Sequence, residues 1–352
     1  MPANRELLAA ADLLRSGEMP CPQALAALIE DDDPRIAETL AQYADEVRRQ
    51  HYGSKVYIRG LIEFTNYCRN DCLYCGIRKS QRNVSRYRLT ADDILSCCRT
   101  GYELGFRTFV LQGGEDPWWT DDRLVPLVTA IRQTYPDCAI TLSAGERSRQ
   151  SYQRLFNAGA DRYLLRHETA NPVHYSRLHP AELSWQNRMD CLRNLKEIGY
   201  QTGCGFMVGS PFQTTEDLVR ELLFLREFRP HMIGIGPFLP ASGTPFEREA
   251  AGSAALTIRL LSIIRLLLPK VLLPATTALG TAEEDGRERG IRAGANVIMP
   301  NLSPAEVRKK YLLYDNKIAT GDEAAESVAH LRQSMEKIGY QVVTARGDSL
   351  NT

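Results

Sequence analysis

The chain has 352 residues, and its 43 Lys and Arg residues balance its 43 Asp and Glu residues, so the formal net charge at pH 7 is zero. A balanced charge provides no electrostatic basis for binding nucleic acid or an anionic membrane surface. The hydrophobic fraction of 43% is typical of a globular core, and the most apolar stretch, Leu260–Leu268, is interrupted by Arg265, so we expect no membrane-spanning helix.

Residues 1–50 are predicted to form helices that pack on the domain that follows. Apolar residues recur at helical spacing in three segments, Arg5–Ser16, Pro22–Ile29 and Arg35–Arg49. The first apolar run ends at once at Arg15, so it lacks the hydrophobic region of a signal peptide. We therefore expect a cytoplasmic protein, with a monomer as the default oligomeric state.

Residues 51–302 alternate short apolar runs with amphipathic helices, and no change of composition indicates a domain boundary inside this range. The predicted strands are Val56–Phe64, Thr108–Gln112, Ala139–Ser143, Arg162–Arg166, Thr202–Val208, Met232–Phe238, Leu272–Thr276 and Asn296–Met299. The helices between them include Ala91–Leu104, Ser148–Ala158, Trp185–Ile198, Glu216–Glu227 and Leu256–Leu268. Repeated βα units imply a parallel sheet. About eight units in roughly 250 residues favour an α/β fold of the closed (β/α)8 TIM-barrel type over an open doubly wound sheet.

The remaining residues, 303–352, are predicted to form a C-terminal helical extension. The last dozen or so residues contain Gly347, Asp348 and Ser349. Small and polar residues at a terminus are typical of a loosely held tail, and we expect one here.

Three of the nine cysteines, Cys68, Cys72 and Cys75, lie within eight positions after the first predicted strand. Active sites of such barrels lie at the C-terminal ends of the strands, so this loop is predicted to open into the site. The three thiols are one ligand short of the four that a structural zinc ion takes. A cubane iron–sulfur cluster held by three thiolates leaves one iron open to a small molecule, which favours a catalytic cluster.

Three alternatives remain for these cysteines: a structural zinc site, an electron-transfer cluster with a distant fourth ligand, and unrelated buried thiols. A long chain with clustered cysteines favours metal binding over a disulfide framework. The other six cysteines are interpreted as small buried hydrophobic residues: Cys21, Cys97, Cys98, Cys138, Cys191 and Cys204.

The spacing Cys-x3-Cys-x2-Cys, with Tyr74 before the last cysteine, resembles the motif of the radical S-adenosylmethionine (SAM) superfamily. The resemblance implies an enzyme with one 4Fe–4S cluster, whose metal ligands and catalytic residues are Cys68, Cys72 and Cys75. It also implies that SAM binds the open iron. One-electron cleavage of SAM then gives a 5′-deoxyadenosyl radical.

Further segments match positions of that superfamily at the ends of predicted strands. Gly113 and Gly114 resemble the motif whose backbone meets the SAM amino group, and Glu168 stands where a carboxylate commonly holds SAM. The residues that the resemblance implies for cofactor binding are Tyr74, Gly113, Gly114, Ser143, Glu168, Arg188 and Ile235. Arg188 lies on a predicted helix, where a solvated arginine is the usual alternative.

Over roughly residues 50 to 315 the chain resembles the HydE family of FeFe-hydrogenase maturation enzymes, which is related to biotin synthase and methylornithine synthase. The segments that carry this resemblance are Tyr57–Arg59, Leu111–Pro117, Asp161–Pro172, Ile235–Phe238, Pro274–Ala278 and Gly294–Asn301. The residues implied for substrate binding are Arg59, Gln112, Thr141, Arg166, Thr276, Thr277, Met299, Tyr311 and Tyr314.

Physical arguments support part of this substrate set. Arg59 and Arg166 lie on predicted barrel strands, and a buried arginine is costly unless it is paired, so we expect both to reach an anion. The alternative partner is a strand carboxylate such as Glu63. For Thr276 and Thr277, and for Thr141 and Ser143, ordinary β-propensity is the competing explanation.

The resemblance implies maturation of the FeFe-hydrogenase cluster on an iron–cysteine complex that bears CO and cyanide. It implies a one-electron donor of the flavodoxin or ferredoxin type and contact with other maturases. Some family members carry three more cysteines for a second cluster, but residues 311–329 contain none. Two rival functions remain. One is a radical SAM mutase or sulfur inserter acting on a small amino acid-like substrate, and the other is a non-enzymatic scaffold for an iron precursor.

Overall fold

The computed structural model describes residues 2–318 and 324–351. Its helices are α1 (Pro2–Arg15), α2 (Pro22–Glu30), α3 (Pro34–Tyr52), α4 (Ala91–Glu103), α5 (Asp121–Thr134), α6 (Arg149–Asn157), α7 (Pro172–Leu178), α8 (Trp185–Ile198), α9 (Thr215–Phe228), α10 (Ala254–Leu267), α11 (Thr277–Ala282), α12 (Gly286–Arg292), α13 (Ala305–Arg308) and α14 (Ala324–Lys337). Its strands are β1 (Lys55–Ile58), β2 (Gly60–Thr65), β3 (Thr108–Gly113), β4 (Ala139–Ser143), β5 (Arg162–Leu164), β6 (Gln201–Cys204), β7 (Met207–Val208), β8 (Met232–Ile233), β9 (Gly236–Pro237), β10 (Val297–Ile298) and β11 (Gln341–Val343).

The parallel strands close into a ring. Six of them pair in the order β2-β3-β4-β5-β6-β8. From β8 the ring continues through the bridge between Met232 and Leu272 and the bridge between Pro274 and Val297. It closes because β10 pairs with β1, which runs directly into β2. The predicted (β/α)8 barrel is therefore confirmed, and the open doubly wound sheet is not formed.

Six of the eight predicted strands are shorter or more broken than the sequence indicated. Among them, β5 ends at Leu164, β10 covers only Val297–Ile298, and the segment Thr202–Val208 divides into β6 and β7. The segment Val56–Phe64 divides at Arg59 into β1 and β2. The two parts have different neighbours, because β1 pairs with β11 whereas β2 pairs with β3 on the same side. The segment Met232–Phe238 divides into β8 and β9 around Gly234, whose carbonyl oxygen leaves no room for a Cβ on Gly205. Residues 272–276 contribute bridges only, since Pro274 has no N–H to donate to a ladder.

The amphipathic helices cover the outside of the barrel, and the three N-terminal helices add to this layer. Helix α3 packs along α10, and α2 packs on α9. Gly199 ends α8 in the left-handed conformation, with φ of 106°, as the glycine after the predicted helix requires. In the described part of the chain, no helix is both long and apolar enough to span a bilayer.

The C-terminal segment differs from the prediction of a helical extension with a loose tail. It contains α14 but also β11, which pairs in parallel with β1. Beyond β11, Asp348 accepts hydrogen bonds from Arg162 Nη2 at 2.6 Å and from Gln201 Nε2 at 2.9 Å. Arg162 and Gln201 begin their strands, so the tail is fixed across the N-terminal end of the barrel.

Among the cysteines outside the predicted cluster site, five are buried, as expected. Cys21 is the exception, because it is exposed and lies just before the first residue of α2. The interpretation of Cys21 as a buried hydrophobic residue is therefore wrong.

Candidate active site

The three clustered cysteines lie on the loop that follows β2, at the C-terminal end of the barrel. All three are free cysteines, and although each residue as a whole is partly exposed, the thiol groups of Cys72 and Cys75 are buried. Burial raises the pKa of Cys75 to about 12, with a further contribution from the nearby Cys68. Burial raises the pKa of Cys72 well above its usual range, with contributions from Cys75 and Cys68. Buried thiols of this kind ionise when a metal replaces the proton, so metal binding would be coupled to proton release.

The donor set in this loop consists of three free cysteine thiols, which is the ligand type that a 4Fe–4S cluster takes. Within residues 2–318 and 324–351, no three His, Cys, Asp or Glu side chains form a group suited to holding one metal ion. A cubane binds each thiolate to a different iron, so its three sulfurs stand farther apart than the ligands of one ion.

Arg86 holds the cysteine loop in its conformation through hydrogen bonds to the backbone, a role that the sequence did not reveal. Its guanidinium donates to the carbonyl oxygens of Ile77 at 2.8 Å and Arg78 at 2.6 Å, and also to those of Asn66 and Gln81. One side chain thus satisfies four carbonyls along a loop without regular secondary structure. The only sequence signal is its place in the basic stretch that follows the cysteines.

Tyr74 is held by His179, the residue that follows α7. Its hydroxyl lies 3.2 Å from His179 Nε2, and His179 Nδ1 lies 2.9 Å from the carbonyl oxygen of Tyr175. Since that carbonyl can only accept, Nδ1 carries the proton and Nε2 accepts from Tyr74. Burial lowers the pKa of His179 to about 3, which keeps the ring neutral. The His179 ring also stacks on Tyr175 at 3.9 Å between centroids.

The glycine pair at the end of β3 allows the cysteine loop to approach closely. A Cβ on Gly114 would lie 2.3 Å from the Tyr67 carbonyl oxygen and 2.8 Å from Cys68 Cβ. The next residue, Glu115, accepts from Arg69 Nε at 3.1 Å. Only glycine therefore fits at position 114, which explains this part of the motif in steric terms.

The residues after β5 bring Arg166 and Glu168 together. Arg166 Nη2 lies 3.0 Å from Glu168 Oε2, but neither atom makes a hydrogen bond within the described residues. Glu168 is buried and adopts a φ of 64°. The pair is therefore an incompletely bonded cation and anion beside the cysteine loop.

Arg188 is not solvated, contrary to the usual expectation for an arginine on a helix. Its side chain is 10% exposed, with Nε 2.6 Å from Glu146 Oε1 and Nη2 3.7 Å from Glu115 Oε1. Nη1 also donates to the Arg166 carbonyl oxygen at 3.2 Å. Despite burial, which acts in the opposite direction, the nearby Glu146 and Glu115 carboxylates hold the pKa of Arg188 well above its usual range.

Arg59 lies deep inside the barrel, and no carboxylate of the described residues is hydrogen-bonded to it. It is 1% exposed, and its Nε and Nη2 atoms have no hydrogen-bond partner in the described part of the chain. It lines a small cavity together with Thr141 and Arg162, and the Thr141 hydroxyl is also unpartnered there. Burial and the nearby Arg162 lower the pKa of Arg59 well below its usual range, although the Asp348 carboxylate acts in the opposite direction.

The alternative of a salt bridge to a strand carboxylate holds for Arg166, whose partner is Glu168, but neither Arg166 nor Arg59 pairs with Glu63. Glu63 Oε1 lies 2.5 Å from Lys317 Nζ, and its Oε2 accepts from Asn301 Nδ2 at 2.8 Å. Lys317 comes from the segment after the barrel, and no local pattern marked it as a partner of a strand residue.

The other predicted substrate residues divide into two groups. Tyr311 and Gln112 approach each other, with 3.5 Å between the hydroxyl and Nε2, and Tyr314 is close enough to Arg166 to be affected by its charge. Thr276 and Thr277 have structural bonds instead. The Thr276 hydroxyl accepts the Leu279 N–H at 3.3 Å as the N-cap of α11, and the Thr277 hydroxyl accepts from Arg287 at 3.3 Å.

Three predicted residues lie apart from any polar network that the described contacts define. Ser143 ends β4 opposite Gln112, Met299 packs beside Met232 and Leu272, and Ile235 is buried between β8 and β9.

The family follows from comparison with known proteins. The profile of the Radical SAM superfamily matches residues 62–225. The FeFe hydrogenase maturase subunit HydE of Thermotoga maritima is 45% identical over 317 residues, which cover 90% of each chain. This chain belongs to the HydE family of radical SAM enzymes. The recognition made from the cysteine loop and the strand ends is confirmed.

Other relatives place this HydE-family chain within a wider group. The 3-methylornithine synthase of Methanosarcina acetivorans is 28% identical over 313 residues, 88% of each chain. A crystal structure of methylornithine synthase (PylB) superposes with a TM-score of 0.84 at 27% identity, covering 95% of this chain and 97% of that one. The hydrogenase maturase HydG shares the fold, with a TM-score of 0.79 at 20% identity over 96% and 75% of the two chains.

Proposed function

We propose that this radical SAM enzyme acts in maturation of the FeFe-hydrogenase active-site cluster, on an iron–cysteine complex that bears CO and cyanide. The observation that carries the substrate class is Arg59, a buried guanidinium without a hydrogen-bonded carboxylate in the described residues. The Asp348 carboxylate attracts Arg59 but makes its described hydrogen bonds to other residues, so a hydrogen-bonded anion inside the barrel would stabilise this buried cation. The resemblance to the HydE family implies that this anion is the iron–cysteine complex.

Cys68, Cys72 and Cys75 would hold the cofactor cluster, which together with bound SAM supplies a carbon-centred radical after transfer of one electron. Around it we assign Tyr74, Gly113, Gly114, Ser143, Glu168, Arg188 and Ile235 to the SAM side. The Glu168 carboxylate supports this assignment because its buried Oε2 makes no hydrogen bond in the described chain. Tyr74 is held in place by its hydrogen bond to the neutral His179.

On the substrate side, the barrel has hydrogen-bond donors at different depths. Arg59 and Thr141 line the deep cavity, while Arg166 lies nearer the cysteine loop. Gln112, Tyr311 and Tyr314 would complete the wall between them, with Thr276, Thr277 and Met299 around it. Cations and hydroxyls suit an anionic complex that includes a cysteine carboxylate.

We further propose an electron donor of the flavodoxin or ferredoxin type, transfer of product to other maturases, and a cytoplasmic location. All nine cysteines are free thiols, which fits a reducing compartment. The zero net charge gives no support for nucleic acid as a partner.

The direct test is SAM cleavage by anaerobically reconstituted, dithionite-reduced protein. We expect release of 5′-deoxyadenosine and methionine. Cys68→Ala, Cys72→Ala and Cys75→Ala should each reduce that release below about 1% of wild type, because each removes one of only three cluster ligands. Chromatography of the products and the iron content measure the effect.

Cys21→Ala is the matched control, since Cys21 is an exposed cysteine far along the chain from the loop. It should retain both iron and activity. Full activity in all three loop variants would contradict the cluster assignment, and a colourless wild type that binds one zinc ion would contradict the function.

A second candidate is a radical SAM mutase or sulfur inserter on a small amino acid-like substrate. The TM-score of 0.84 to methylornithine synthase over nearly the whole chain supports it. Substrate assays separate the two, because a mutase would turn over a free amino acid without an iron complex. A non-enzymatic scaffold would leave SAM intact in the same assay.

A further inference from the structure

The chain that follows β5 pairs with β6 and the residues after it, and this pairing contains a bulge next to the Glu168 carboxylate. The Leu165 N–H donates to Gly203 O at 3.0 Å, and the next ladder bond runs from the Glu168 N–H to Gly205 O at 3.0 Å. One strand therefore advances by three residues while its neighbour advances by two, which is the defining feature of a β-bulge. Arg166 and His167 occupy the bulge.

His167 compensates for the backbone pairing that the bulge interrupts. Its Nδ1 lies 3.3 Å from the Gly205 N–H and accepts from it. The ring proton is therefore on Nε2, which donates to Glu221 Oε2 at 2.7 Å. The His167 ring also contacts Phe224 on α9, with 4.8 Å between ring centroids.

Glu221 lies on α9 and bonds on both sides of Glu168. While one carboxylate oxygen accepts from His167, the other accepts the Ala170 N–H at 2.5 Å. His167 and Glu221 are both 0% exposed, so water does not compete for these bonds. A carboxylate provides two acceptor oxygens for two donors, and here both are used.

The conformation between these two bonds is unusual. Glu168 has a φ of 64°, in the left-handed region that non-glycine residues seldom adopt and that costs free energy. Such a conformation persists only where the surroundings fix it. The bonds to His167 and Ala170 fix the residue before Glu168 and the one two positions after it.

We propose that Glu221, acting through His167 and the Ala170 N–H, is a positioning residue that holds the Glu168 carboxylate toward SAM. The proposal rests on the role of Glu168 in SAM binding given above. In this arrangement α9, on the outside of the barrel, determines cofactor affinity without touching the cofactor. Glu221 has no other hydrogen-bonded partner among the contacts described for it.

The test measures SAM binding by equilibrium dialysis with the oxidised, cluster-loaded protein, in which no electron is available to cleave SAM. Glu221→Gln keeps the side-chain shape but loses one of the two acceptors, and His167→Leu removes both ring bonds. Each should weaken SAM binding about tenfold or more. Iron content should stay at the wild-type level, because neither residue contacts a cysteine of the loop.

His167→Gln is the conservative variant, since its amide N–H can still donate to Glu221. It should restore SAM affinity to within about threefold of wild type. If His167→Leu fails to fold, the SAM affinities of Glu221→Gln and His167→Gln can still be compared with each other.

Tyr200→Phe is the matched control, because it removes a buried hydrogen bond to the Tyr152 carbonyl oxygen, 2.8 Å long and outside the bulge. It should lower thermal stability and leave SAM affinity unchanged. If Glu221→Gln weakens SAM binding no more than Tyr200→Phe does, the proposal is overturned.

A double-mutant cycle separates this proposal from the assignment of Glu168 itself. In a Glu168→Ala background, Glu221→Gln should add less than about twofold, because the group that it positions is gone. A full tenfold addition would overturn the proposal while leaving the SAM site intact. If Glu168→Ala alone does not weaken SAM binding, the assignment of Glu168 fails, and the positioning role fails with it.

Discussion

Arg166 and Glu168 show how much at this site depends on single side chains. Their charged atoms lie 3.0 Å apart but are not hydrogen-bonded to the described protein. Each therefore has capacity for another partner. We expect Glu168 to bond SAM and Arg166 to bond the anionic substrate.

Replacement of Arg166 by lysine should separate these two roles. Lysine keeps the positive charge near Glu168 but loses the planar fork that binds a carboxylate through two nitrogens. We expect substrate processing to fall about tenfold or more and SAM cleavage without substrate to change less than about twofold. Product analysis in the two assays measures the difference. An equal loss of activity in both assays would refute the substrate role. Arg177→Lys, on the exposed side of α7, serves as the control.

At the scale of elements, the cysteine loop has a fixed shape although it lacks helix and strand. Arg86 supplies donors to several loop carbonyls, and Asn66 Nδ2 ties the start of the loop to the Lys310 carbonyl oxygen at 2.7 Å. The cysteine spacing was readable from the sequence. The hydrogen bonds of Arg86 to the loop were not readable, because an arginine that donates to backbone carbonyls leaves no periodic pattern in the sequence.

Arg86→Leu should impair cluster assembly without removing a ligand. The carbonyl oxygens that it releases are partly buried, and each unsatisfied one costs about 1–3 kcal/mol. We expect less than about half of the wild-type iron content after reconstitution, measured by iron analysis and visible absorbance. As a control, Arg82→Leu at an exposed neighbouring position should leave cluster assembly normal. A wild-type iron content in Arg86→Leu would show that the hydrogen bonds of Arg86 are not needed for assembly.

For the whole molecule, the C-terminal tail closes the barrel at the end opposite the cysteine loop. Asp348 bonds Arg162 and Gln201 at the starts of β5 and β6, and Arg346 Nη1 donates to the Cys138 carbonyl oxygen at 3.0 Å. Although burial acts in the opposite direction, the bonds from Arg346 and Arg162 hold the pKa of Asp348 below its ordinary value of 3.8. The carboxylate therefore stabilises the folded state only while it is ionised.

Asp348→Asn should lower the free energy of unfolding by about 1–3 kcal/mol at neutral pH, because the buried Arg162 loses its anionic partner. A depressed folded pKa contributes stability that is full above the unfolded value and lost as the pH falls toward the folded one. The difference between wild type and variant should thus shrink below about pH 4. Urea unfolding at several pH values measures it. A difference that does not depend on pH would contradict the ion pair.

The sequence by itself determined the barrel and the position of the cysteine loop. Both are local: alternating strands and helices are periodic patterns, and Cys68, Cys72 and Cys75 are held together by covalent spacing. Gly114 was likewise readable, because close approach at a strand end requires glycine.

Only the tertiary structure decided which distant residues support the site. Glu221 meets His167 across 54 residues, Lys317 meets Glu63 across 254, and Asp348 meets Arg162 across 186. Those pairings depend on which helices, strands and terminal segments become neighbours when the barrel closes, and no short-range pattern encodes that. For the same reason the sequence could not decide whether Arg188, assigned to the SAM side, was instead a solvated arginine on a helix, whereas the closed barrel buries it beside Glu146.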